Sequence, residues 1–295
     1  MKKDIFKGHL FLLIVVVASL ASGFIEGFVP KMFEDILRQM LFLGGPVLVY
    51  LVVTKKSVVR TLRLNPISFK NILILVLVAF VMQPAVYLLA SIAQIIFGNQ
   101  LEFLFSDLAN QPFWYLIITV AIMPSIFEEL VLRGVVMDAY RGQTLYTVII
   151  MNGLLFGLFH MNLNQFVYTF FIGVVLSLSV YYTNSIFAGM IIHFVNNFLS
   201  IYVMAFPESM YSKFELWLFA LETPVDIVKF IVIGTISFLL TFRIVNAMGR
   251  RNKKHYIHDA TLISYEPIMN WPLVVLVGLF LSFSILLTMA ISSFG

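Results

Sequence analysis

The chain has 295 residues, 61% of them hydrophobic and only 12% charged, with a mean hydropathy of +0.98; these values lie outside soluble averages and specify a polytopic membrane protein. With no cysteine it can offer no disulfide, thiolate metal site or cysteine nucleophile. Its net charge of +4 sits in short segments beside apolar stretches, which points to lipid headgroups and topology rather than nucleic acid.

Crossing the hydrocarbon takes about 20 helical residues, and by that measure nine stretches qualify, with eight as the alternative count: 8–28, 36–53, 71–97, 113–140, 144–161, 165–183, 185–204, 224–247 and 271–294. The fold class expected is therefore all-α, a transmembrane helical bundle forming one integral-membrane domain over 1–295. Its motif core spans about 113–204, and the final span, 271–294, is an accessory. The first stretch follows Lys2, Lys3 and Lys7. Ser19-Leu20-Ala21 resembles a signal-peptidase site, but so many apolar stretches follow that the segment reads as a retained span.

Lysines and arginines crowd into alternate connections: the N-terminus, then Lys55 to Lys70, then Arg133 and Arg141, then Arg250 to Lys254. Those connections face the cytosol under the positive-inside rule, with the N-terminus among them. The acidic connections around Glu102 and Asp107, and around Glu208, Glu215 and Glu222, then lie outside. Arg60-Thr61-Leu62-Arg63-Leu64-Asn65-Pro66 reads as a basic loop obeying the same rule, with an interfacial segment as the alternative.

Next comes Phe127-Glu128-Glu129-Leu130-Val131-Leu132-Arg133-Gly134. Ionisable groups at membrane depth cost roughly 2.5–3.5 kcal/mol or more each, so they need partners or a function. Glu129 and Arg133 lie one helical turn apart and can pair, which gives them a structural, orienting role. Glu128 points about a quarter turn away with no partner on its own helix. Two histidines follow in apolar stretches: His160 one turn after Phe156, and His193 one turn before Asn197. Counted from the turn near Gly142 at about 1.5 Å per residue, Glu128 and His160 reach similar depths. Gly153 and Gly157 make a small-residue face for close helix packing. Asn152, Asn162, Asn164 and Asn196 take packing or turn roles. His9, His255 and His258, near the terminus or in the basic loop, are set aside.

With no serine beside either histidine, water attack aided by a general base fits better than a covalent nucleophile. Glu128 is the base, His160 holds the water, and His193 with Asn197 supplies hydrogen bonds to an oxyanion. A metal reading uses the same atoms: Glu128, His160 and His193 make a two-histidine, one-carboxylate zinc set with a position for water. The first reading needs no cofactor, and the zinc alternative stays open beside it.

These three motifs, Glu-Glu-x-x-x-Arg, Phe-x-x-x-His and His-x-x-x-Asn, in that order on successive apolar helices over about 124–199, resemble the CPBP family. It comprises the type II CAAX prenyl endopeptidases and the bacteriocin-processing or Abi proteins. The resemblance implies an α-helical intramembrane endopeptidase in which Glu128 and His160 activate water and His193 and Asn197 form the oxyanion hole. The family has been described both as metalloproteases and as glutamate proteases. Leu132 stands where phenylalanine is common before Arg-Gly. The implied partners are the bilayer and a hydrophobic or membrane-anchored peptide, and the sequence fixes no oligomeric state. No Asn-x-Ser/Thr sequon occurs, which leans towards a bacterial cytoplasmic membrane. Two other readings compete: a non-catalytic immunity or scaffold protein that binds a bacteriocin or a cell-wall enzyme, and a proton-coupled transporter, for which the repeated halves are missing.

Overall fold

A computed structural model describes residues 4–25, 27, 29–98, 108–221, 223–253 and 266–294. Lys2, Lys3, Glu102, Asp107, Glu222, Lys254, His255 and His258 lie outside the described residues. The described chain is helical throughout: α1 (Asp4–Leu20), α2 (Phe33–Thr54), α3 (Phe69–Phe97), α4 (Phe113–Ala139), α5 (Leu145–Phe159), α6 (Leu163–Thr183), α7 (Ile186–Ala205), the short α8 (Met210–Phe219), α9 (Pro224–Arg251) and α10 (Trp271–Phe294). Eight helices among the described residues are long and apolar enough to cross a membrane, so the protein is a multi-pass membrane protein. The stretch expected at 144–161 is the ninth. It folds as the 15-residue α5, about 22 Å long against a hydrocarbon core of about 30 Å. His160 and Met161 end α5, Met161 in the left-handed region (φ 52°). Asn162 then caps α6 by accepting from the Gln165 N–H at 2.9 Å.

In lipid the drive for helix association is close packing and polar contact, because tails are as apolar as leucine. The α5–α6 pair follows that rule through its glycines. A Cβ on Gly153 would sit 2.6 Å from Val174 Cγ2 and 3.0 Å from the Phe170 carbonyl, and one on Gly157 would sit 2.8 Å from the Phe166 ring. The expected small-residue face is thus the α5–α6 contact.

Three helices carry prolines mid-span, Pro46 in α2, Pro84 in α3 and Pro124 in α4, and around the last two neighbouring helices repair the damage. Proline has no N–H, so an internal proline breaks the local i→i+4 ladder. In α3, next to Pro84, Ser237 of α9 inserts its hydroxyl, accepting from the Ala85 N–H at 3.1 Å and donating to the Val81 carbonyl at 2.5 Å. In α4, Pro124 follows a π-helical segment, Ile117–Ile122, and a second one, Leu130–Val136, follows the glutamates. Carbonyls in both wide segments accept from side chains of other elements: Thr119 from Gln39 (2.9 Å), Val120 from Asn197 (2.9 Å), Leu132 from Asn152 (2.9 Å) and Arg133 from Arg63 (2.7 Å). π-helical segments are frequent at functional sites, and both here flank Glu128.

The basic end of the bundle corrects two expectations. Arg63 is no surface charge: it is buried, with φ 50°, and its guanidinium reaches the Arg133 carbonyl while its own carbonyl accepts from Ile186. Burial, with the neighbouring Arg141 charge adding to it, pushes the Arg63 pKa down to about 10. His9 is likewise no terminal residue of little account. It is fully buried in α1, joined to Tyr140 at 2.5 Å and to Asn270 at 2.9 Å, and so ties α1 to the ends of α4 and α10. The final span, α10, buries Leu273, Leu276 and Phe280, the last against Phe166 at 5.3 Å between ring centroids.

Candidate active site

The sequence step Glu128-Glu129 separates two carboxylates by 100° on α4, and the fold gives them different surroundings. Glu129 is fully buried. Its Oε1 accepts from Arg133 Nη1 at 2.7 Å, the expected one-turn pair, and also from His193 Nδ1 at 3.1 Å. Its other oxygen packs against Gly189, where a Cβ would lie only 2.2 Å away. Arg133 is itself fully buried; it also donates to the Gly173 carbonyl at 3.2 Å and lies 4.3 Å from the Phe156 ring centroid. His193, the Gly173 carbonyl and the Phe156 ring thus compensate much of the pair's burial, while Glu129 Oε2 and Arg133 Nε stay buried without a hydrogen-bond partner.

Glu128 faces elsewhere. Its side chain is 16% exposed and lines a cavity of about 480 Å³ enclosed chiefly by α4, α5, α6 and α7. One of its oxygens, Oε2, is buried with no hydrogen-bond partner and lies 3.9 Å from His193 Nε2. His160, His193 and Asn197 line the same cavity, so all four expected catalytic side chains share one wall. Phe156 stands at its base, its ring edge-on to both imidazoles, at 4.7 Å from His160 and 5.6 Å from His193.

Hydrogen bonding fixes the histidine tautomers. His160 Nδ1 lies 2.8 Å from the Phe156 carbonyl; a carbonyl only accepts, so Nδ1 carries the proton and the neutral ring's Nε2 is an acceptor. His193 Nδ1 faces the arginine-paired Glu129 carboxylate, so it too carries a proton. Donation from His193 Nε2 therefore requires the ring to hold both protons. Asn197 is oriented from two sides: its Nδ2 donates to the Val120 carbonyl at 2.9 Å and its Oδ1 accepts from Asn196 Nδ2 at 3.1 Å. Pro124 has no N–H to offer the Val120 carbonyl one turn before it, and Asn197 donates to that carbonyl from α7. The second N–H of the Asn197 amide is left over from these bonds.

Several contributors were not singled out from the sequence. Asn196, assigned to packing, lines the cavity, and it accepts from Gln83 of α3 at 3.2 Å while holding Asn197. Asn152 and Asn164 do keep structural roles. Asn152 receives the Ser177 hydroxyl at 2.7 Å, and Asn164 donates to the Gly98 carbonyl at 2.6 Å. Gly189 had a visible signal, since Gly189, His193 and Asn197 form an i, i+4, i+8 stripe on α7. Gln83 had none beyond its place before Pro84.

Among the described residues no three His, Asp or Glu side chains are grouped so as to hold a metal ion. Of the zinc set read from the sequence, His193 Nε2 and Glu128 Oε2 lie 3.9 Å apart and His160 lines the same cavity. Compared with known proteins, residues 110–199 match the family model for type II CAAX prenyl endopeptidase, Rce1-like. No curated protein and no solved structure matches the chain.

Proposed function

We propose that the cavity hydrolyses a peptide bond of a hydrophobic or membrane-anchored peptide with Glu128 as general base, a reading supported by the match of residues 110–199 to the family model for type II CAAX prenyl endopeptidase, Rce1-like. The single observation that carries this reading is the carboxylate of Glu128, with one oxygen unpartnered, in a cavity it shares with His160, His193 and Asn197.

The reaction follows from the donors and acceptors present. A water between Glu128 and His160 gives one hydrogen bond to the carboxylate and one to His160 Nε2, both acceptors, which turns its lone pair towards the carbonyl carbon. As oxygen attacks, its proton passes to Glu128 and the carbonyl oxygen becomes an oxyanion. The spare N–H of Asn197, and His193 through Nε2 when that nitrogen carries a proton, donate to it, a placement worth about 10²–10³ in rate per donor. The tetrahedral centre then collapses, the C–N bond breaks, and Glu128 returns the proton to the leaving amine. The products are a carboxylic acid and an amine, with the glutamate regenerated. Glu129, Arg133 and Phe156 are positioning residues: they hold His193 and His160 and meet no reacting atom.

Glu128→Gln keeps the shape and removes the base. Cleavage of a prenylated CAAX peptide, or of any hydrophobic peptide the wild-type cuts, followed by mass spectrometry, is expected to fall by about 10²–10⁴ with an unchanged unfolding midpoint. A Glu128→Gln protein that cleaves at the wild-type rate overturns the assignment.

A further inference from the structure

The basic end of the bundle holds a second cavity, of about 900 Å³, that none of this chemistry uses. Its cations are Lys7 of α1, Lys56 and Arg60 from the segment after α2, and Arg141 just past α4. Its carboxylates are Asp4, Asp138 and Glu266, and two of these three are already engaged. Asp138 pairs with Lys56 at 2.9 Å and with Arg141, and Glu266 accepts the backbone N–H groups of Ile5 and Phe6 at 3.0 and 2.9 Å. Lys7 and Arg60 are exposed and join no ion pair among the described residues. Backbone donors leave the Glu266 charge in place, so Asp4 and Glu266 both stand against them, and the four cations exceed the three carboxylates by one.

An apolar groove of about 330 Å³ leads away from this cavity along α1 and α2, and Lys7 lines both. Leu10, Phe11 and Ile14 form one wall, facing Val49, Tyr50 and Val53 on the other. Passing from Lys7 along α1 and from Lys56 back along α2, both walls change from charged to apolar together. Near that boundary Lys56 Nζ lies 5.7 Å from the Tyr50 ring centroid. A cationic mouth that leads into an apolar trough matches, in order, the phosphate and the acyl chain of an amphiphile.

We propose that this composite site binds one anionic phospholipid, its phosphate diester held between Lys7 and Arg60 and one acyl chain lying in the groove between α1 and α2. The site lies apart from the catalytic cavity and does not depend on the protease reading, although through Asp138 and Arg141 it abuts the end of the helix that carries Glu128.

The test uses the full chain in detergent micelles with phosphatidylglycerol or phosphatidylcholine added, and native mass spectrometry to count retained lipid. A cation near a headgroup contributes about fivefold in binding, so two predict roughly a thirtyfold preference for phosphatidylglycerol. The double variant K7Q/R60Q brings the preference close to parity, and V53W, which fills the groove with all charges intact, lowers phosphatidylglycerol retention. R250Q removes a basic-end charge outside the cavity and leaves the preference unchanged. Equal retention of the two lipids by the wild-type protein overturns the proposal. So does a loss in R250Q as large as in K7Q/R60Q, which is diffuse surface charge, or displacement of the lipid by inorganic phosphate, which is an anion site without an acyl groove. Full retention by V53W also overturns it.

Discussion

Gly189→Ala tests the packing of the buried carboxylate without needing a substrate. The added methyl would sit 2.2 Å from Glu129 Oε2, 3.1 Å from its carboxyl carbon and 3.2 Å from Val180 Cγ2, whereas a carbon and an oxygen settle at about 3.3 Å or more. The carboxylate must retreat by about 1 Å, which stretches one of its two bonds, to Arg133 at 2.7 Å or His193 at 3.1 Å, beyond useful range. A charge-assisted bond is worth about 1.5–3 kcal/mol and overpacking costs about 1–3 kcal/mol, so the expected loss is about 3–5 kcal/mol. Equilibrium unfolding of the full chain in mixed micelles measures it. Glu129→Asp withdraws the carboxylate by one methylene, so the double variant G189A/E129D recovers about 1–2 kcal/mol relative to additivity. A Gly189→Ala protein that unfolds at the wild-type midpoint, or losses that simply add, refute the claim that this glycine makes room for Glu129.

Arg133→Ala strands the fully buried Glu129 and is expected to cost about 3–5 kcal/mol, whereas Glu128→Gln leaves stability within about 1 kcal/mol; equal unfolding midpoints count against this division of roles. Asn197→Ala removes both the proposed oxyanion donor and the donor to Val120, so unfolding free energy drops by about 1–3 kcal/mol and turnover by about 10²–10³. Adding Pro124→Ala returns a backbone N–H to Val120, so the double variant regains stability but not turnover; joint recovery of both would make Asn197 purely structural. Burial raises the pKa of Glu215 on α8, outside the spanning helices, against the lowering effect of hydrogen bonds from Tyr211 and Tyr87. Between the ordinary carboxylate range and that raised value the folded chain binds more protons than the unfolded one, so stability rises as pH falls through the window. Glu215→Gln should flatten this slope, and an unchanged slope assigns the proton uptake to another group.

What the sequence revealed of the site was whatever one helix could encode. The Glu129–Arg133 pair, the Phe156–His160 turn and the glycine face of α5 each follow from 100° per residue on a single element, and each is present in the fold. Arg63, His9 and Asn196 were misjudged for a common reason. Their partners are the Arg133 carbonyl, Tyr140 with Asn270, and Gln83, 70 or more residues away along the chain. No local pattern distinguishes a topology charge from a buried cation, or a packing amide from one that sets another amide's direction. Depth counting from the Gly142 turn also assumed regular helices, and the π segments in α4 alter both rise and rotation beside the residues being counted.

Pro124 shows where the boundary between local and tertiary information falls. The sequence dictates that Val120 loses its i+4 donor, because residue 124 has no N–H. It does not dictate which helix supplies a replacement. The fold supplies Asn197, and in doing so fixes the rotation of an amide on the wall of the cavity that Glu128 lines. The same logic separates two adjacent and chemically identical carboxylates. Arg133 one turn along α4 and the missing side chain at Gly189 draw Glu129 into a closed ion pair. Glu128, turned by 100°, meets neither, and its carboxylate faces the cavity instead. The pairing that makes one glutamate structural thus also supplies the buried anion that orients His193 opposite the other, so the buried ion pair is a condition for the geometry around Glu128 rather than a separate stabilising feature.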